Sequence, residues 1–474
     1  MIFNSLTFVA FFLVVYALYR VLPHRRQNVL LLLASYVFYA AWDWRFLGLL
    51  VGSTVVDFLV GRYLGREESG RRRHIALAAS LAFNLGMLGF FKYFNFFAGS
   101  LATLLQAFGW RADFATLNVV LPIGISFYTF MTISYVIDVY RKDIKPAGHL
   151  LDFALFVAYF PHLVAGPILR ASLLLPQITQ PRTVTAEQIR QGIWLIGWGY
   201  FLKMFVADTL APLVDEVFAP SATPAGVDVL LGAYAFAFQI FGDFAGYSNI
   251  ARGISKLMGI ELNVNFRFPY FVASPQAFWR HWHISLSTWL RDYLYIPLGG
   301  SRGSPARTSR NLMLTMILGG LWHGAAWTFV LWGAFQGAAL VVGRGIVAFG
   351  RRRHLVVPDG PNWRRVALAL LMFHVTCLGW LIFRASSIQQ VGQLLGALVH
   401  DFRPSARTVS SMAVPLILTV APFLAIHAWQ AYRDDEAAPL ELPWPVQYAV
   451  FGMLFYLVLL FGAFEGAQFI YFQF

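Results

Sequence analysis

Residues 311–342 read NLMLTMILGGLWHGAAWTFVLWGAFQGAALVV, an apolar run whose only titratable side chain is His323. Basic loops flank it, with Arg302, Arg307 and Arg310 before and Arg344 to Arg353 after. Positive loops stay on the cytoplasmic side of a membrane, so a run between two of them must return to the side it left. A full crossing takes about 20 residues, so this run is too short for two. The expectation is a re-entrant hairpin of two half-helices, broken at Gly319-Gly320 or Gly324, with His323 at its tip. A single long tilted span is the alternative. Either way His323 lies far from bulk water, and an ionisable group at that depth marks a functional site by default.

The stretch before it is unlike it. FWRHWHISLSTWLRDYLYIPLGG (278–300) alternates apolar residues with Arg280, His281, His283, Ser285, Ser287, Arg291 and Asp292. From Ser274 to Leu298 it is too polar for a lipid-facing span and reads as one amphipathic helix, interfacial or wedged into the protein. His283 and Ser287, four apart, would share a face. His281 reads as structural or interfacial. Arg291 and Asp292 would pair and fix the wedge; an ordinary interfacial ion pair is the alternative.

Composition agrees with a membrane setting. Of 474 residues, 58% are hydrophobic and 12% charged, against roughly 25% charged in soluble domains. Apolar runs recur along the whole chain, so the fold class is all-α: a polytopic integral membrane protein of roughly 10–12 spans in a single domain, 1–474. The formal charge of +13 reads as basic loops rather than nucleic-acid binding. The one cysteine, Cys377, allows no intrachain disulfide.

Along the chain, spans are expected at Leu6–Leu22, with no cleavable leader, then Asn28–Ala41, Phe46–Leu64, Ile75–Phe91 and a fifth ending near Tyr140. Basic loops after spans one, three and five place the N-terminus outward. Leu151–Leu169, interrupted by Pro161, His162, Gly166 and Pro167, is a broken segment facing protein or a cavity, or else a kinked helix. Thr183–Arg190 is a surface piece with a helix start. Spans follow at Gly192–Leu213 and Val227–Ile250. The second carries Gln239, Asp243, Tyr247, Ser248 and Asn249, which line a polar cavity or else hydrogen-bond between helices. The last spans are Val366–Phe383, Met412–Trp429 and Tyr448–Phe464.

A neutral imidazole is a competent general base near neutral pH. It would take the proton of an acceptor hydroxyl attacking an activated acyl group. A covalent route through Cys377 is disfavoured, because it lies far from the histidine motifs in sequence with no evident base beside it. A metal centre needs more than two convergent ligands, and His281, His283 and His323 would converge only by tertiary folding, so no metal is expected. No phosphate loop of an ATP-driven pump is present.

With GGLWHGAAW, FWRHWHISLSTWLRDYLYIPLGG and a closing FIYFQF, the chain resembles the membrane-bound O-acyltransferase family, in its bacterial alginate O-acetyltransferase membrane-subunit branch. MIFNS, NVLLLLASYVFYAAWDWRF, LPIGISFYTFMTISYVIDVYR, FPHLVAGPI, FGDFAGYSNIARG and GWLIFRAS extend the likeness over nearly the whole chain. The resemblance implies a multi-pass protein of the bacterial inner membrane with a central tunnel. It implies no bound cofactor, with acetyl-CoA as the cytoplasmic donor substrate, and a polysaccharide acceptor met with periplasmic acetyltransferase partners. The family's essential histidine falls on His323 and its second on His283. Trp322 and Trp327 would line the tunnel or pack the core. The family also serves other acceptors. The rivals from other classes are a polysaccharide transporter or flippase, for which matching halves are not seen, and an assembly scaffold in which the histidines merely pack.

Overall fold

The computed structural model describes residues 1–110, 120–164, 166–352, 363–406, 408–464 and 469–470. Parts of four expected features lie outside them: the loop at 111–116, Ala165 of FPHLVAGPI, Arg353 of the basic loop, and residues 471–474 of FIYFQF. All regular structure among the described residues is helical. Eight continuous helical runs there are long and apolar enough to cross a bilayer, and Leu6–Val21 is a shorter apolar helix. Three of the eight, His24–Arg66, Gly70–Ala107 and Ala186–Phe218, each contain two α-helices. The run of apolar segments therefore reads as a polytopic membrane protein, with fewer continuous runs than the 10–12 spans expected.

Contacts group the chain into two compact units, Met1–Gly192 with Ala251–Asn263, and Ile193–Ile250 with Val264–Phe474. The first is built on Leu47–Arg66, Gly70–Leu88 and Ile125–Arg141. Their contact is polar at its centre: the fully buried Asp57 accepts from Ser80 Oγ at 2.6 Å and from Asn84 Nδ2 at 2.8 Å. Hydrogen bonds of this kind hold helices together where apolar burial gives no drive. The interrupted stretch after Leu150 is broken rather than kinked, into Leu150–Ala158 and Phe160–Leu163. The N–H freed at Phe160 donates to Ser35 Oγ at 3.0 Å, so the break leaves no orphaned donor. The helix start near Thr183 is a capping box. Gln188 N–H donates to Thr185 Oγ1 at 3.1 Å, and Thr185 N–H to Gln188 Oε1 at 3.0 Å, satisfying two end donors reciprocally.

The second unit is organised around the helical hairpin Pro305–His323 and Trp327–Arg352. The chain reverses at Gly324, as the sequence suggests, but the arms are not half-helices. They hold 19 and 26 residues, about 28 and 39 Å at 1.5 Å per residue. The first arm is longer than its apolar part because Ser304 caps it inside the basic loop, accepting from Arg307 N–H at 3.3 Å. The arms pack backbone to backbone. A Cβ on Gly320 would stand 3.1 Å from Gly333 Cα and overlap the Phe329 carbonyl, and one on Gly333 would overlap the Met316 carbonyl. Only glycine permits that approach, the usual device for joining helices in lipid.

Candidate active site

The stretch 274–298 is not one helix. It folds as Pro275–His281, Ile284–Leu290 and the π-helical turn Arg291–Tyr295. The break falls at Trp282-His283, where His283 takes a left-handed backbone conformation at φ 41°, an uncommon state for a residue bearing a side chain. What sustains it is the loop segment Asn265–Arg267. Ile284 N–H donates to Asn265 O at 2.9 Å, and Arg267 N–H donates to His281 O at 2.9 Å. The backbone groups a helix would have paired internally are thus satisfied by a neighbouring loop. His281 is tied to the same segment through Nδ1 and the Arg267 carbonyl.

The break turns His283 inward, where it is fully buried. Its Nδ1 lies 3.2 Å from Asn265 Oδ1. Ser285 N–H also points at that atom over 3.3 Å, and Ser285 Oγ approaches it at 2.9 Å. A backbone N–H can only donate, so the atom is the amide oxygen, and His283 Nδ1 must carry the proton. Nε2 of the neutral ring then holds the lone pair. It is buried and has no hydrogen-bond partner among the described residues. His283 lies outside the eight span-length helices, and burial pushes its imidazole below the ordinary histidine range, toward the neutral form.

His323, the last residue of the first hairpin arm, is 4% exposed. Its ring centroid lies 6.4 Å from that of His283. Trp322 sits against both, at 5.1 Å from His323 and 5.9 Å from His283. Trp332 and Phe383 meet His323 edge-on at 5.1 and 5.5 Å, and Phe244 meets His283 the same way at 4.6 Å. Aromatic edges and faces on several sides limit the rotation of both imidazoles and keep the site apolar. Two imidazoles this close and this buried can share or pass the proton of one hydroxyl between them.

Of the other sequence candidates, Trp322 belongs to this cluster. Trp327 does not face it: it is 57% exposed at the start of the second arm, and Trp332 occupies the place on His323. Arg291 and Asp292 do pair, at 2.6 Å, but with the arginine side chain 58% exposed. An exposed pair of neighbours contributes little. Asp243 and Tyr247 are buried on the helix Gly226–Leu257. Asp243 Oδ1 holds Lys203 Nζ at 2.6 Å, and Lys203 also reaches Asp208 at 2.8 Å. Lys203 went unremarked in the sequence, although a lone lysine in the apolar run 192–213 is the signal that an intramembrane charge gives. Asn265 had no such signal: nothing in NVNF distinguishes a residue that orients a histidine 18 positions later.

A cavity of about 200 Å³ is lined among others by Trp198, Phe241, Ala245, Phe266 and His427, with Arg267, Asp434 and Glu436. One of these lining residues, Phe266, has its ring centroid 6.3 Å from that of His283.

Residues 140–382, which include both histidines, match the model of MBOAT, the membrane-bound O-acyltransferase family. The chain is 44% identical over 447 residues to the probable alginate O-acetylase AlgI of Azotobacter vinelandii, covering 93% of this chain and 87% of that protein. It is 44% identical over 402 residues to the probable AlgI of Pseudomonas aeruginosa, covering 84% and 75%. To the peptidoglycan O-acetyltransferase of Helicobacter pylori it is 34% identical over 431 residues, covering 84% and 80%. Likeness of this extent, together with the buried histidine pair and the many apolar helices, leads to one conclusion: the chain belongs to the membrane-bound O-acyltransferase family and is a multi-pass membrane O-acyltransferase.

Proposed function

We propose that this protein is an O-acetyltransferase of the bacterial inner membrane. It takes acetyl from acetyl-CoA on the cytoplasmic side and passes it outward for O-acetylation of an exported polysaccharide, alginate or a similar polymer. The observation that carries the reading is the pair His283–His323, buried with ring centroids 6.4 Å apart. A hydroxyl that donates its one proton over about 2.8 Å to one ring, with the other ring close by to take part in moving that proton, fits that separation. The names of the relatives agree on the reaction: two are O-acetylases of alginate and one an O-acetyltransferase of peptidoglycan, all transfers of acetyl to a glycan hydroxyl.

In this mechanism His323 is the general base. Its ring takes the hydroxyl proton as the oxygen attacks the thioester carbonyl. The tetrahedral intermediate collapses, the carbon–sulfur bond breaks, and the imidazolium returns its proton to the leaving thiolate. His283, its Nδ1 proton held by Asn265, presents the Nε2 lone pair to the same space and orients the acceptor or assists the proton's movement. Trp322 lines the passage between them. The basic loops, cytoplasmic by the positive-inside rule, attract a phosphate-rich donor. One tunnel through a single functional domain, 1–474, joins donor and acceptor sides, and periplasmic acetyltransferase subunits complete delivery to the polymer.

The test uses inside-out membrane vesicles supplied with acetyl-labelled acetyl-CoA, following release of the free thiol. The natural protein should consume the donor, and His323→Ala at equal membrane abundance should lower the rate by roughly 100-fold or more, the range for a lost general base. Equal rates would overturn the assignment.

A further inference from the structure

The C-terminal residues Phe469 and Ile470 are fixed next to the histidine pair by a buried charge. Ile470 N–H donates to Asp243 Oδ2 at 2.6 Å, across 227 positions of sequence. The other oxygen of that carboxylate, Oδ1, is engaged by Lys203 Nζ at 2.6 Å. Lys203 is 1% exposed within the π-helical turn Phe201–Ala207. Its second carboxylate, Asp208 at 2.8 Å, leaves one negative charge more than lysine supplies when all three groups are ionised. Burying such a trio in a membrane segment is costly and adds little stability relative to apolar packing. Extra turns of π-helix are found mostly where function requires them. Both facts ask what the charge is for.

The geometry answers through the helix Gly226–Leu257. Phe469 packs on Tyr247 at 4.7 Å and on Phe244 at 5.8 Å, respectively four positions and one position beyond Asp243, and Lys203 Nζ lies over the Tyr247 ring at 5.6 Å. Phe244 in turn stands edge-on to His283 at 4.6 Å. The chain of contact therefore runs from the charge, to the C-terminal backbone, to Phe469, to Phe244, to His283.

We infer that the Lys203–Asp243 pair is a dock for Phe469-Ile470, and that these two residues, once docked, hold Phe244 against His283 and so orient it for transfer. Lys203 and Asp243 are positioning residues; neither touches the reacting atoms. Lysine holds one oxygen of the carboxylate, and the other is left aimed at the Ile470 amide. The inference rests on the acyl-transfer reading for its consequence, but the docking itself can be measured without any reaction.

The experiment follows two readouts on the full chain in lipid nanodiscs: hydrogen exchange of the C-terminal peptide containing Ile470, and kcat and KM for acetyl-CoA turnover. Ile470→Pro removes the N–H donor, Ile470→Leu retains it with the buried side-chain volume, and Asp243→Leu removes the acceptor. Asp243→Leu and Ile470→Pro should each speed exchange roughly tenfold or more, the factor for a lost hydrogen bond to a charged group. Each should lower kcat by a similar factor with KM little changed. Ile470→Leu should lose far less than Ile470→Pro on both readouts, and the double variant of Asp243→Leu with Ile470→Pro should be no worse than the worse single one. Should Asp243→Leu lower kcat while the segment stays protected, or Ile470→Pro free the segment with kcat unchanged, the dock is refuted. His323→Ala separates the two readings: it should abolish turnover and leave the segment protected. If it leaves turnover intact, acyl transfer through His323 fails while the exchange data still decide the dock.

Discussion

His283 donates its Nδ1 proton to the side-chain oxygen of Asn265 over 3.2 Å. That one contact assigns the lone pair of the neutral ring to Nε2. Orienting groups of this sort set tautomer and ring angle together, and Asn265 also receives the backbone N–H and hydroxyl of Ser285.

Asn265→Leu should therefore impair chemistry more than binding. It frees the His283 ring and removes the oxygen that Ser285 N–H and Oγ approach, a loss of about 1–3 kcal/mol. The expected result is a fall in kcat of roughly tenfold to a hundredfold, within the range of a misoriented acid–base group, with KM for acetyl-CoA nearly unchanged. A fall confined to KM would count against the orienting role.

Burial depresses the His283 pKa, so the sign of its pH effect is fixed. The folded chain binds fewer protons at this site than the unfolded one, whose histidine titrates at about 6.5. Its contribution to stability is present above that pH and is lost as pH falls toward the lowered value. Thermal melts of the natural protein and of His283→Asn should converge as the pH is lowered from neutrality to about 5. Parallel curves across that interval would contradict a neutral buried His283.

The hairpin depends on two glycines. Gly320→Leu places a branched side chain where the facing carbonyl of Phe329 and the backbone of Gly333 stand. Overpacking costs about 1–3 kcal/mol even where neighbours can yield, and two backbones yield less than side chains. Membrane abundance and monodispersity on size exclusion should both drop, while Gly345→Leu, with open space around it, should leave them unaltered.

Trp332 and Trp327 separate packing from exposure. Trp332→Ala opens a cavity beside His323 and should destabilise by about 3–5 kcal/mol, with loss of activity in whatever folds. Trp327→Ala removes an exposed ring and should change stability by no more than about 0.5 kcal/mol. Comparable losses at both positions would mean that Trp327 contributes to the site after all.

The legible parts of this protein were those that hydropathy and charge control. The span positions, the reversal at Gly324 and the burial of His323 follow from where apolar runs meet basic loops. The break at Trp282-His283 does not, because it is sustained by hydrogen bonds from Asn265 and Arg267, and helical periodicity in 274–298 carries no trace of a partner that far upstream. The same holds for Trp332, Phe244 and Phe383: aromatic residues are frequent in every span, and only the fold selects the few that touch a histidine. Lys203 and Asp243 were visible as charges in apolar runs, but their pairing, and its contact with Ile470, exist only in three dimensions.

The central claim is that His323 performs acyl transfer. Its most direct test is the O-acetyl content of exported polysaccharide from a strain lacking this protein, complemented with the natural chain or with His323→Ala at equal membrane abundance. The account predicts that His323→Ala exports polymer in normal amount but without O-acetyl groups. Normal acetylation would contradict it, and loss of the polymer itself would point to transport or assembly instead.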